Sequence, residues 1–204
     1  MRGVTTEAER PALLGPAAVL VPVKAFTAAK RRLSGSLSPA ERASLARRMA
    51  AHVIRCAAPL PVAVVCDDPE VAAWAHAQGA LVLSEPGRGL NGAVAAGVKQ
   101  LRERGVLRVI IAHSDLPLAR PLASLAEGEG VAIVSDRHGQ GTNVLVVPTR
   151  AGFRFSYGEG SFDRHRAEAR RLGLDLLVVH DAALALDVDT PQDLQDALNI
   201  HPDA

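Results

Sequence analysis

Two acidic segments of the chain have the residue types expected of a divalent-cation site. Asp115 lies in the segment H-S-D-L-P, directly after the most strand-like run, and Asp187 and Asp189 lie in the segment D-V-D-T-P near the carboxyl end. Carboxylate oxygens are the ligands that Mg²⁺ prefers, with nucleotide phosphates completing the octahedron. Because no histidine cluster accompanies these residues, the pattern favours magnesium over zinc.

Each acidic segment also has a structural alternative. A turn or helix-capping aspartate is the alternative for Asp115. If the second segment is extended, its alternating side chains point to opposite faces. We therefore expect one of Asp187 and Asp189 to face the site and the other to cap the last helix.

A basic loop follows the first apolar run. Its cationic residues fall within nine positions, with no acidic residue between them: Lys24, Lys30, Arg31 and Arg32. Ammonium and guanidinium groups neutralise the charges of a polyphosphate. Lys24 and Lys30 are therefore candidate nucleotide-binding residues, and together with Arg32 and Asp115 they are the candidate catalytic residues. A solvated basic turn is the alternative.

Three glycine-containing loops could approach an anion closely. Gly89 and Asn91 lie where a glycine loop leads into a predicted helix, so backbone N–H groups there could contact a base or phosphate, although an ordinary turn would have the same composition. The loops at 136–143 and 155–165 place small residues beside Thr142 and Ser161, whose hydroxyls could surround a small anion. Ser161 is also a candidate N-cap, and His165 follows in the same helix, either facing this loop or partly exposed.

Short apolar runs alternate with helix-like segments along the whole chain. The runs predict strands at 18–23, 62–67, 80–84, 107–112, 131–135, 143–147 and 174–179. Helical spacing and capping signals predict helices at 38–58, 69–78, 90–105, 121–126, 162–172 and 190–199. Such alternation predicts a single α/β domain of three layers, with a mostly parallel mixed sheet covered on both faces. Ligands of such sheets bind at the carboxyl ends of the strands, where the loops described above lie.

The composition excludes several classes of function. The 204 residues carry a net charge of only +1 and six aromatic residues, which argues against long nucleic acid as a partner. No apolar run approaches the roughly 20 residues needed to cross a bilayer, and the first residues do not resemble a secretory signal. We expect residues 1–16 to form a flexible tail, residues 17–204 to form the domain, and Cys56 and Cys66 to be reduced thiols in a cytoplasmic protein.

No P-loop and no glycine fingerprint of a dinucleotide site follows any predicted strand. Instead, five spaced motifs resemble those of the CofC/FbiD family of guanylyltransferases, which act in the biosynthesis of coenzyme F(420). They are V-P-V-K-x-x-x-x-A-K-x-R-L at 21–33, S-D-L-P at 114–117, D-R-x-G-x-G-T-N at 136–143, G-x-G-S-x-x-R-H at 158–165 and D-V-D-T-P-x-D-L at 187–194. The similarity extends from about residue 18 to residue 199.

The resemblance implies a fold like that of the nucleotide-diphosphosugar transferases, with residues 17–204 as a nucleotidyltransferase domain. It implies transfer of GMP from GTP to phosphoenolpyruvate, giving enolpyruvoyl-2-diphospho-5'-guanosine and pyrophosphate; 2-phospho-L-lactate and 3-phosphoglycerate are the alternative acceptors. By motif matching, Asp115, Asp187 and Asp189 take the magnesium positions. The acceptor-binding positions are matched by Thr142, Gly158 and Ser161.

Two other functions are considered. A nucleotidyltransferase of another cofactor or sugar pathway would carry a loop of the L-A-A-G-x-G type after the first strand, which this sequence does not have. The chain could also be a nucleotide-binding subunit that turns over only with the next enzyme of the pathway, to which a labile product would pass directly.

Overall fold

A computed structural model describes residues 14–84 and 87–200. Across these ranges, seven strands form one mixed sheet, which confirms the predicted α/β fold. Each strand lies within two residues of its predicted bounds because each is a short apolar run ended by polar or glycine residues. The strands are β1 (Ala17–Pro22), β2 (Val62–Cys66), β3 (Leu81–Ser84), β4 (Arg108–Ala112), β5 (Val131–Ser135), β6 (Thr142–Pro148) and β7 (Leu176–Val178).

The longer helices follow their sequence signals. Ser38 accepts from the Glu41 N–H while Glu41 accepts from the Ser38 N–H, so the predicted capping box begins the first helix. The short elements differ more from prediction: the short helix predicted at 121–126 is a 3-10 helix, Ala123–Ala126, and the four-residue helix α5 and the 3-10 helices Phe26–Ala28 and Arg31–Leu33 were not predicted. The helices are α1 (Pro39–Cys56), α2 (Pro69–Ala77), α3 (Gly89–Glu103), α4 (Ser161–Arg171), α5 (Ala182–Ala185) and α6 (Pro191–Ile200).

The order of the strands brings distant loops to one edge of the sheet. The order is β3-β2-β1-β4-β6-β5-β7, with β4 in the centre as predicted. β4 is parallel to β1 but antiparallel to β6, and Ala112 at the end of β4 pairs with Val144 near the start of β6. The loops after β1 and β4 and the loop before β6 therefore lie at the same edge.

Two apolar layers cover the two faces of the sheet. Val19 and Val21 of β1 pack in the layer beneath α1 and α2, and Leu20 packs in the layer beneath α3 and α4. Gly97 of α3 lies directly on Leu20, because an added Cβ atom would come within 3.0 Å of a Leu20 methyl carbon. A smaller third cluster joins α1 to α6 and contains the buried Val188.

The first residues of the described chain contact the sheet. The Leu14 N–H donates to the Arg104 carbonyl, and the Pro16 carbonyl accepts from the N–H groups of Leu107 and Arg108. Residues 1–13, most of the predicted flexible tail at 1–16, lie outside the described residues, so that boundary stays a prediction. No helix in the described ranges is long and apolar enough to span a membrane.

Candidate active site

A cleft of about 1020 Å³ opens at the edge of the sheet where β1 and β4 end and β6 begins. It collects loops that are more than 150 residues apart in the sequence. Nine of the residues singled out in the sequence line it together: Lys24, Lys30, Arg32, Asp115, Thr142, Gly158, Ser161, Asp187 and Asp189.

The acidic residues meet on one side of this cleft. Asp115, Asp187 and Asp189, hereafter the carboxylate cluster, each place an oxygen within 4.8 Å of the others. The backbone joins the two segments, since the Val188 N–H donates to the Asp115 carbonyl over 3.1 Å. Oδ1 of Asp115 is buried and has no hydrogen-bond partner. A cation shared by three carboxylates would satisfy that oxygen, so the donor set suits a divalent metal ion.

Lys30 neutralises the cluster from the opposite loop. Its Nζ lies 2.5 Å from Asp115 Oδ2 and 3.1 Å from Asp189 Oδ1, and only 8% of its side chain is exposed. Arg32 adds a longer contact of 3.5 Å to Asp189. Lys30 has φ of 53°, the one positive value among non-glycine residues of the described chain. The surrounding loop must stabilise this costly backbone conformation, while the two carboxylates hold the ammonium in place.

The protonation of this group follows from burial and charge. Burial disfavours the charged form of Lys30 and lowers its pKa, but the negative charges of Asp115 and Asp189 have the larger combined effect, so the pKa of Lys30 is raised. Burial also works against ionisation of Asp115, but Lys30 outweighs it and lowers the pKa of that carboxyl. The pKa of Asp187 is raised, first by burial and then by the charge of Asp115. The charge of Asp115 therefore works against ionisation of a second carboxyl in the cluster.

The expectation that one aspartate of the D-V-D-T-P segment caps the last helix is wrong. Asp187 and Asp189 both line the cleft, because residues two apart in an extended segment share a face and Val188 between them points into the core. The start of α6 has a capping box instead: Thr190 Oγ1 accepts from the Asp193 N–H over 3.3 Å, and Asp193 accepts from the N–H groups of Asp189 and Thr190 and from the Thr190 hydroxyl.

A second part of the cleft lining contains the neutral groups that the sequence suggested for an anion. Ser161 Oγ and Thr142 Oγ1, hereafter the hydroxyl pair, lie 3.2 Å apart, and each residue is only 1% exposed. His165 packs behind them, with Nδ1 3.0 Å from Thr142 Oγ1. His165 is fully buried, so its alternative as a partly exposed helix residue is excluded. Gly158 lines the cleft beside the pair with φ of 115°, a conformation that favours glycine.

Three residues of the 136–143 loop have positioning contacts that the sequence did not reveal. Asp136 accepts from the backbone N–H groups of His138, Gln140 and Gly141, which folds the loop. Arg137 ties the loop to α6 through ion pairs with Asp193 and Asp196. Asn143 donates to Asp187 Oδ1 over 3.2 Å and to the carbonyls of Leu184 and Ala185. The motif at 136–143 contains these three residues, but their positioning roles are evident only from the partners that the fold gives them.

Gly89 and Asn91 do not join the cleft lining, although Leu90 between them does. The amide of Asn91 is bonded to the backbone of Tyr157: Oδ1 accepts from the Tyr157 N–H over 2.6 Å, and Nδ2 donates to its carbonyl over 3.4 Å. Asn91 therefore fastens the 155–165 loop to α3. Nucleotide contacts at Gly89 and Asn91 stay predictions.

Solved structures have this fold. One is a protein of Desulfovibrio desulfuricans G20 assigned as a nucleotide-diphospho-sugar transferase, with a TM-score of 0.73 and 19% identity over 92% of this chain and 87% of that chain. The predicted likeness to the nucleotide-diphosphosugar transferase fold is thereby confirmed. This fold, with carboxylates and cations gathered at the ends of its strands, defines the structural class of the protein.

Comparison with families of known proteins narrows the class. The model of the family described as "Guanylyl transferase CofC like" matches residues 17–203. The phosphoenolpyruvate guanylyltransferase of Sphaerobacter thermophilus is 36% identical over 87% of this chain and 90% of its own. The 2-phospho-L-lactate guanylyltransferase of Methanothermobacter thermautotrophicus is 36% identical over 86% of this chain and 81% of its own. The chain belongs to the CofC-like guanylyltransferase family.

Proposed function

We propose that this protein transfers GMP from GTP to phosphoenolpyruvate, forming enolpyruvoyl-2-diphospho-5'-guanosine and pyrophosphate, as a step of coenzyme F(420) biosynthesis. Relatives named for phosphoenolpyruvate and for 2-phospho-L-lactate are both similar to the chain, so the shared chemistry is guanylyl transfer to a small phosphorylated acid. A cytoplasmic location is part of the proposal, and the free thiols of Cys56 and Cys66 suit a reducing compartment.

The observation that carries the proposal is the division of one cleft into two unlike sides. The carboxylate cluster, with Lys30 against it and Lys24 nearby, offers charges suited to a metal ion and a triphosphate. The hydroxyl pair offers small neutral donors suited to an anion of limited size. A nucleotide and a small acid could therefore lie side by side, with the phosphorus to be attacked between them.

The residues of the carboxylate cluster are those that would hold Mg²⁺. A bound Mg²⁺ would neutralise phosphate charge and polarise the phosphoryl group during transfer. Lys30 already carries a full positive charge beside Asp115 and can hold a phosphate oxygen at the same place. Lys24 and the largely exposed Arg32 reach the cleft from the same loop and would contact the more distal phosphates.

The bond changes balance without a general base. A phosphate oxygen of the acceptor attacks the α-phosphorus of GTP, a new P–O bond forms, and the bond to the β-phosphate oxygen breaks to release pyrophosphate. A phosphate monoester is already largely dianionic at neutral pH, so no proton must be removed from the nucleophile. Catalysis then rests on alignment and on charge neutralisation, which the residues of the cleft supply.

A competition assay tests the proposal. The purified chain is incubated with GTP, MgCl₂ and an equal mixture of phosphoenolpyruvate, 2-phospho-L-lactate and 3-phosphoglycerate. Pyrophosphate is measured, and the products are identified by mass spectrometry. We expect the enolpyruvoyl product to dominate. Dominance of another acid would change the acceptor but keep the reaction.

The same assay separates an enzyme from a binding subunit. If no acceptor releases pyrophosphate, the next enzyme of the pathway is added to the same mixture. Turnover only after that addition would support the alternative of a subunit that needs its partner. GTP binding with no turnover in either mixture would overturn the proposed reaction.

A further inference from the structure

The neighbours of the buried His165 determine which of its ring nitrogens carries the proton. Its Nε2 lies 2.9 Å from the backbone nitrogen of Ser156. A backbone N–H can only donate, so Nε2 must carry a lone pair and accept. A neutral imidazole with a free Nε2 carries its proton on Nδ1, which therefore donates to Thr142 Oγ1 over 3.0 Å.

This tautomer determines how many protons the hydroxyl pair can offer. Thr142 and Ser161 bring two hydroxyl protons, and one is used in the bond between the two oxygens. Because Nδ1 of His165 donates to Thr142, it does not take the other proton. One hydroxyl proton is therefore left for a group in the cleft. With the opposite tautomer, Nδ1 would accept from Thr142 and Thr142 would accept from Ser161, leaving no proton for a ligand.

We propose that His165 is a positioning residue, held by the Ser156 N–H in the tautomer that makes the hydroxyl pair a net hydrogen-bond donor to an anionic oxygen of the acceptor. The inference deepens the proposed function and rests on it, because it assigns the hydroxyl pair to the phosphorylated acid rather than to GTP. Burial lowers the pKa of His165 to about 4, which is consistent with a neutral ring.

Packing around the ring supports a fixed orientation. Tyr157 meets the ring edge to face, with centroids 4.8 Å apart, and Phe153 lies 5.9 Å away. The ring also joins two loops, since Ser156 belongs to the segment before α4 and Thr142 begins β6. His165 is not among the residues that line the cleft, so it sets the direction of the Thr142 hydroxyl from behind the lining.

The tautomer can be measured directly in the unaltered protein. Nitrogen-15 NMR of the histidine rings, assigned by loss of a signal in His165→Asn, distinguishes a protonated Nδ1 from a protonated Nε2. We expect Nδ1–H at neutral pH, with and without GTP and phosphoenolpyruvate. A protonated Nε2 in His165 would overturn the inference whether or not the protein turns over, so this outcome is distinct from failure of the proposed reaction.

Kinetics test the effect on the acceptor. His165→Leu removes the donor, and we expect the KM for phosphoenolpyruvate to rise about tenfold or more, with the KM for GTP changed less than twofold. His165→Asn keeps an amide donor near Thr142 and should recover most of the loss. The control His180→Asn replaces an exposed histidine outside the cleft lining and should change neither constant.

A double substitution separates positioning from general structural support. In a Thr142→Val background there is no hydroxyl for His165 to direct, so adding His165→Leu should raise the KM for phosphoenolpyruvate less than twofold further. The inference would be overturned if His165→Leu raised the KM for phosphoenolpyruvate as much in the Thr142→Val background as in the unaltered protein. It would also be overturned if His165→Leu alone raised the KM for GTP as much as the KM for phosphoenolpyruvate. If His165→Leu does not fold, the ring NMR of the unaltered protein still decides it.

Discussion

The two sides of the cleft meet the problem of binding anions in opposite ways. On one side, the carboxylate cluster and Lys30 place full charges in contact, with side-chain exposures from 8% for Lys30 to 48% for Asp189. On the other side, the hydroxyl pair and His165 carry no charge and are almost completely buried. The first side has a buried oxygen without a hydrogen-bond partner, Asp115 Oδ1, whereas the groups of the second side are joined by hydrogen bonds.

This difference shows what each side requires of its ligand. Lys30 pairs with carboxylates that a metal ion would also bind, so it can exchange a carboxylate for a phosphate as a metal ion joins the cluster. Rearranging neutral donors in a buried site costs free energy, because a buried polar group that loses its hydrogen bond has no water to replace the partner. We therefore expect the charged side to determine turnover and the neutral side to determine affinity for the acceptor.

The largest effect is expected at the carboxylate cluster. Asp115→Asn removes the charge that Lys30 pairs with and the buried oxygen available to a cation, so kcat/KM should fall about a thousandfold. Circular dichroism should show an unchanged fold. The control Asp163→Asn alters an exposed carboxylate outside the cleft and should retain activity. Retained turnover in Asp115→Asn would remove the metal role of this residue.

On the neutral side, burial of His165 should make the free energy of unfolding depend on pH. Burial lowers the pKa of His165 to about 4 from its ordinary 6.5, so the unfolded chain takes up the proton first. The stabilisation from this residue is complete above pH 6.5 and is lost as the pH falls toward 4, in total about 3 kcal/mol. Urea unfolding between pH 7 and 4.5 measures it.

The corresponding variants sharpen that measurement. Removal of His165 by His165→Asn should reduce the dependence of unfolding free energy on pH over this range. The exposed His180→Asn should leave that dependence as it is in the unaltered protein. Equal pH dependence in the unaltered protein and in His165→Asn would show that His165 is not held neutral by burial.

Lys30→Ala tests the charge on the opposite loop. Loss of the ammonium should raise the KM for GTP about thirtyfold, which is about 2 kcal/mol of phosphate contact, and should change the acceptor KM less. Initial rates with each substrate varied in turn measure the two constants. Lys99→Ala, an exposed lysine on α3, serves as the control. A larger rise for the acceptor would place Lys30 on the other substrate.

The smallest effect is expected at the hydroxyl pair. Ser161→Ala removes one donor and should raise the acceptor KM about tenfold, with the KM for GTP nearly unchanged. The exposed Ser124→Ala is the matched control. An unchanged acceptor KM in Ser161→Ala would remove the pair from the acceptor site and weaken the contrast between the two sides of the cleft.

Local signals were enough for most of the fold. Apolar runs located all seven strands, and the capping box at Ser38 located α1, because these signals depend on nearby residues. The short helix predicted at 121–126 is a 3-10 helix of four residues, because a proline and a short apolar stretch suit either kind of helix. α5 was missed because four residues are too few to show helical periodicity.

The sequence alone determined the fold class, the family motifs and the residue types that face the cleft, since these depend on periodicity and on order along the chain. The tertiary structure decided which groups touch. It brought Lys30 to Asp115 and Asp189, placed both Asp187 and Asp189 in the cleft lining, and placed His165 between Ser156 and Thr142. The reason is physical: charge balance, burial and the direction of a hydrogen bond depend on partners that only folding brings together.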